Sequence, residues 1–180
     1  MQTSKLLSAL FSKLTGITKS QKKFLSEMLV VILALRGRVN FTNMSRYSSY
    51  HESSMRRQYR KDFNFVGFNQ EVIKLTTTSE LIGLFDCSFI SKAGKHTYGK
   101  DKFWNGCQQR AKSGLEISLI SLLEVESKQA YSLDVVQTPA NLSLKEGQGY
   151  SRIDFYLEQL SDILPACPLV KYWIGDGMDR

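Results

Sequence analysis

Leu81-Ile82-Gly83-Leu84-Phe85-Asp86-Cys87-Ser88-Phe89-Ile90-Ser91 is the stretch whose reading decides the fold. It follows a polar break, Thr76-Thr77-Thr78-Ser79, and it is rich in β-branched and aromatic side chains, which predicts a strand. One carboxylate, Asp86, interrupts the apolar run. An unpaired carboxylate buried in such a strand is costly, so a cation or a hydrogen-bond donor is expected beside it. A lysine partner would meet the same need. Cys87 alternates with Phe85 and Phe89 and reads as core rather than as a nucleophile.

Three more strands follow. Residues 115–126 alternate through Leu115, Ile117, Leu119, Leu123 and Val125. Residues 131–138 form the next, closed by Pro139. Ser151 and Asp154 have capping-box spacing and open a helix carrying Ile153, Leu157, Leu160 and Leu164. Pro165 and Pro168 end that helix. Residues 169–174 make a fourth strand, which runs into Gly175-Asp176-Gly177. Asp176-Gly177 also has the composition of an ordinary turn.

Residues 92–106, between the first two strands, are glycine-punctuated, basic and aromatic. Lys95 and Lys100 can hold phosphates while Tyr98, Phe103 and Trp104 stack on bases. The alternative is a hairpin whose aromatics fold back on the sheet.

The residues before the sheet read as helical. Leu6, Leu7, Leu10, Phe11 and Leu14 recur at helical spacing up to Thr15-Gly16. Ser20 can cap a second helix through Phe24, Leu25, Met28, Leu29, Ile32 and Leu35, closed by Gly37. Its wide apolar girth predicts burial between other helices. Thr42 can cap a short helix over residues 43–48. Ser53 or Ser54 can cap a further one reaching Asp62, with Met55, Tyr59 and Phe63 as an inward stripe. Arg56, Arg57, Arg60 and Lys61 then project elsewhere, the arrangement a helix-turn-helix needs. A merely solvated basic face is the alternative.

Charge is unevenly placed. Residues 1–61 hold twelve Lys and Arg against Glu27 and Glu52, a net of +10, whereas residues 62–180 carry a net of −3. Such asymmetry points to a polyanion partner for the first part. Three scattered cysteines with no CxxC pair argue against a disulfide framework or a zinc knuckle and fit a reducing cytosol. Two histidines, His51 and His96, argue against a histidine-rich metal site. The longest apolar run, residues 28–35, is too short to span a bilayer.

Three strands, a helix and a fourth strand, with Phe85-Asp86-Cys87-Ser88, Phe103-Trp104-Asn105-Gly106, Gln137-Thr138-Pro139 and Gly175-Asp176-Gly177 in order, resemble bacterial insertion-sequence transposases of the DDE class. The resemblance covers roughly residues 80–180. It implies an α+β chain: a helical, helix-turn-helix-like DNA-binding segment (1–66), a connector (67–79) and a ribonuclease-H-like mixed sheet (80–180). It further implies that Asp86 and Asp176 are catalytic metal ligands for Mg2+ or Mn2+, since hard cations prefer carboxylate oxygens. Double-stranded DNA, at element ends and target, is the implied partner. A homodimer and a bacterial, DNA-associated cytoplasmic location are compatible with it. The family uses a third acid, a Glu, downstream. Because the sequence reaches only Arg180, the resemblance is to an N-terminal fragment with an incomplete sheet, expected to have little strand-transfer activity alone. A non-catalytic DNA-binding regulator and a decayed remnant are the other expectations.

Overall fold

The computed structural model describes residues 2–140 and 149–175. The chain is α+β and forms two compact units, Met1–Leu75 and Thr76–Arg180.

The first unit is helical: α1 (Gln2–Lys13), α2 (Lys19–Ala34), α3 (Phe41–Met44), α4 (Glu52–Gln58) and α5 (Phe65–Thr76). Thr18, rather than Ser20, caps α2. Its hydroxyl accepts from the Gln21 N–H while the Gln21 side chain reaches back, satisfying two orphan donors. Gln21 is itself buried and donates to the Asp62 carbonyl at 3.1 Å, tying the start of α2 to the segment after α4. Asn40, not Thr42, caps α3. The segment expected to be a connector is largely α5, opened by Asn64 accepting from the Gly67 N–H at 2.8 Å.

Two apolar clusters hold this unit. Phe24, Met28, Val31, Met44 and Met55 form one. Leu7, Leu10 and Phe11 form the other, with Phe63, Phe68 and Val72 against them. Fully burying one such side chain contributes about 1.5–3 kcal/mol. Phe11 stacks on Phe68 with centroids 5.3 Å apart, and Lys13 pairs with Glu71 at 2.9 Å. Lys13 and then Lys74 hold the Glu71 carboxyl down at about 2. The expectation that α2 is buried between other helices is met, since its residues join both clusters. Phe24, Met28 and Val31 pack in the first cluster and Leu25 and Leu29 against the second, while Val30, Ile32 and Leu33 are exposed.

Among the described residues the second unit is a five-stranded sheet with one long helix: β1 (Leu81–Ser91), β2 (Asp101–Asn105), β3 (Arg110–Glu124), β4 (Ala130–Gln137), α6 (Arg152–Ile163) and β5 (Trp173–Gly175). β3 is central. It pairs antiparallel with β1 along one edge, from Leu81↔Glu124 to Ser91↔Gly114. On its other edge it pairs antiparallel with β4 and, beyond that, with β2, so that Gly114 lies opposite both Ser91 and Asp101. β5 adds to the free side of β1 in parallel, at Gly83↔Trp173, Leu84↔Ile174 and Phe85↔Gly175. A parallel neighbour needs a crossover, and α6 lies in the connection.

The basic loop is corrected in part, because residues 101–105 are strand β2. An Asn105-capped turn at Gly106–Gln108 and a left-handed Gln109 return the chain into β3, which starts at Arg110 rather than 115. Ser151 and Asp154 form the expected capping box on α6. The buried face of α6 differs from the apolar expectation. Tyr156, Gln159 and Ile163 point inward, while Ile153, Leu157 and Leu164 are exposed. The sheet beneath presents Glu116 and Ser118, so the helix meets it with hydrogen-bonding side chains. Tyr156 donates to Glu116, Ser118 donates to Gln159, and Gln159 donates to Asp134 at 2.8 Å.

At the other end of β3, Glu124 accepts from the backbone N–H groups of Thr78 at 2.7 Å and Ser79 at 3.2 Å, and from the Ser127 hydroxyl. The Ser127 bond first, then the Thr78 bond, holds its carboxyl below the ordinary value of 4.5. A depressed carboxylate contributes stability that is present above its unfolded value and lost as pH falls through the folded one. Glu124→Gln is therefore expected to flatten the loss of thermal stability in the acid range, as pH falls below 4.5. Melting curves of both proteins across that range check it, and parallel acid limbs would refute it.

Candidate functional site

Alternation along β1 sends Phe85 and Cys87 to the α6 face and Asp86 to the other. Phe85 packs on Tyr156 with centroids 5.8 Å apart, which fixes that assignment. Cys87 lies beside Ser118 in the register, next to Tyr156 and Glu116. Burial, with the charges of Glu116 and Asp86, pushes its thiol up to about 11. The thiol therefore stays protonated at neutral pH, as a core role predicts.

Asp86 sits opposite Leu119, which in turn sits opposite Val135, and Val135 is 52% exposed. The expectation of a buried carboxylate is corrected here. Asp86 is exposed, because α6 covers only the other face of the sheet. It makes no ion pair among the described residues. Asp176 lies outside the described residues. The last described pair between β1 and β5 is Phe85↔Gly175, the residues that immediately precede Asp86 and Asp176 in the chain. Among the described residues no group of three or more His, Cys, Asp or Glu is gathered in metal-binding fashion.

The β2–β3 hairpin extends the face that carries Asp86. Lys102 and Trp104 pair with Ser113 and Ala111 of β3, residues in the same alternation as Leu119. Trp104 is 45% exposed there. Phe103 points the other way, fully buried, with the Arg152 guanidinium 4.8 Å from its ring centroid. The two readings of the loop aromatics thus divide between residues. Phe103 folds back on the sheet, whereas Trp104 and Tyr98 stay accessible. Lys100 is engaged within the loop, donating to the Gly94 carbonyl at 2.7 Å, and Lys95 is exposed. Lys102 and Trp104 share a face with Asp86 only because β2 pairs as it does. The alternation of a short strand hidden in a loop was the available signal.

In the first unit the four expected DNA-binding residues separate as well. Arg56 is paired with Glu52 at 2.6 Å and lies 5.0 Å from the Phe41 ring centroid, so its charge is matched internally. Arg57 is exposed on α4. Arg60 and Lys61 are exposed but lie beyond the end of α4, which stops at Gln58 rather than reaching Asp62. Met55 is the buried anchor of the expected stripe, whereas Phe63 joins the other cluster.

The sequence matches no protein-family model, and no curated protein matches it. No helix among the described residues is long and apolar enough to cross a membrane.

Proposed function

We propose that the chain is part of a DNA transposase of the insertion-sequence DDE class, acting on double-stranded DNA at element ends. The single observation that carries this reading is the sheet. Three antiparallel strands in the order β4-β3-β1, with β5 parallel to β1 after a helix, support the reading of this unit as a ribonuclease-H-like domain. Asp86 stands mid-strand on its open face. The helical first unit, with its net of +10 over residues 1–61, supports a DNA-binding role, and the short helices α3 and α4 are the candidates for a helix-turn-helix-like pair. Homodimer formation and a DNA-associated place in the bacterial cytoplasm belong to the same reading.

Asp86 is a hard oxygen donor, free of an internal cation among the described residues, and that chemistry fits Mg2+ or Mn2+. Asp86 and Asp176 would hold the ion, which supplies Lewis-acid polarisation of a phosphodiester oxygen. Lys102 and Trp104, on the Asp86 face, are suited to hold a strand by charge and stacking.

Asp86→Asn tests the metal half of the proposal. The residue is exposed, so the change should move stability by no more than about 0.5 kcal/mol. Mn2+ titration of the full chain, followed by electron paramagnetic resonance, should show binding weakened about tenfold or more, equivalent to about 1.4 kcal/mol. Equal Mn2+ affinity in both proteins would sink the assignment of Asp86. The charge concentration in residues 1–61 favours a second reading, a DNA-binding protein without catalysis. That reading expects duplex binding with steep salt dependence and no effect of Asp86→Asn on Mn2+.

A further inference from the structure

Residues 1–61 contain two acids, and both are engaged inside the unit. Glu27 accepts from the backbone N–H and the hydroxyl of Ser49. Glu52 accepts from Arg56 and from the Thr42 hydroxyl. Arg56 is thereby matched, but Arg38 and Arg46 are not. Neither makes an ion pair among the described residues. Both line one surface pocket of about 250 Å3, together with Asn40, Thr42 and Asn43, and no acid is in its wall.

One side chain organises both walls. Asn43 Nδ2 donates to the carbonyls of Arg36 and Arg38, at 3.0 Å each, which fastens the loop carrying Arg38. The Asn43 carbonyl accepts from the Arg46 N–H at 3.1 Å, which places the second arginine. Asn40 Oδ1 accepts from the Asn43 N–H at 2.8 Å and closes the frame. Gly37, at φ +91°, allows the loop its reversal. Two unmatched guanidinium groups on a braced pocket make a site for a tetrahedral oxyanion, which their planar forks can grip with paired N–H donors.

We propose that Arg38 and Arg46 hold a phosphate group of a nucleic-acid backbone in this pocket. The source of the phosphate rests on the DNA-binding reading; the oxyanion chemistry does not. A phosphate contact carries no base information, so the pocket sets the position of the first unit on a duplex rather than its sequence choice.

The test uses the full chain and the double variant Arg38→Gln/Arg46→Gln, both exposed positions, with circular dichroism confirming that the variant folds. Duplex binding is followed by fluorescence anisotropy against NaCl, and inorganic phosphate by the rise in melting temperature over chloride of equal ionic strength. Expected are affinity lowered about tenfold or more, a salt slope shallower by about one to two, and loss of the phosphate-induced rise. Unchanged duplex affinity in the variant, while Arg57→Gln/Arg60→Gln weakens it, overturns the pocket and leaves the DNA reading standing. A wild-type chain that binds no duplex sinks the DNA reading. If its phosphate response is then lost in the variant, the site is one for free phosphate and the backbone assignment is overturned. Should the double variant not fold, Arg46→Gln alone, read by the same two assays, decides between these outcomes.

Discussion

Gly83→Ala is expected to cost the second unit about 2–3 kcal/mol, the upper part of the range for an overpacked core. A Cβ at Gly83 would lie 2.2 Å from the Trp173 indole, with two further ring atoms within 2.6 Å. Trp173 is the register partner of Gly83, so the ring cannot retreat without loosening the three residues of β5 from β1. Among the described residues β5 has no other strand neighbour, which leaves its attachment to depend on this contact and on bonds such as Gly83 N–H to the Tyr172 carbonyl at 2.9 Å. Urea unfolding followed by tryptophan fluorescence measures the loss. Trimming the partner should restore part of it, so Trp173→Leu in the Gly83→Ala background is expected to show a coupling of about 1–2 kcal/mol. Stability of Gly83→Ala within about 0.5 kcal/mol of wild type would mean that the indole does not lie on Gly83.

Tyr156→Phe should cost about 2 kcal/mol, because it leaves the Glu116 carboxyl buried beneath α6 without its phenolic donor. The same pair has a pH signature. Burial first, and then the hydrogen bond and charge of Glu116, raise the Tyr156 phenol well above its ordinary value of 10.0. A phenol raised in the folded state is neutral there while its unfolded counterpart ionises. Its contribution is therefore fully present below pH 10.0 and is lost as pH rises beyond it. Wild-type stability should fall above that pH, and Tyr156→Phe should flatten the fall. Thermal melts on both sides of the transition read the difference. A variant that loses stability at neutral pH but keeps the whole alkaline limb would place the titrating group elsewhere.

Several parts of the fold were readable from local signals. The run from Leu81 to Ser91 became β1 because its composition suits a strand and the preceding threonines break the helix. Ser151 and Asp154 formed their capping box because the groups involved are three residues apart and need no tertiary partner. Other parts were not readable. β2 hides in a glycine-rich basic loop, and its five residues are strand because β3 is long enough to offer them an edge. α5 follows a cap at Asn64 and is packed through Phe68 and Val72 against the α1 cluster. Helical spacing misjudged α6 because Tyr156 and Gln159, not its leucines, find partners on the sheet.

For the candidate site, the sequence by itself determined which residue types are present and how charge is shared. It set Asp86 in a strand, Gly175 at the end of another, and twelve Lys and Arg in residues 1–61. Only the tertiary structure decided which of them are accessible. Strand pairing and the placement of α6 on one face bury Glu116 and leave Asp86 open. Ion pairing with Glu52 takes Arg56 out of the free charge, while the Asn43 frame leaves Arg38 and Arg46 unmatched. The physical reason is common to all of these. Residue type and spacing are local properties, whereas burial and charge pairing depend on which surfaces the chain brings together.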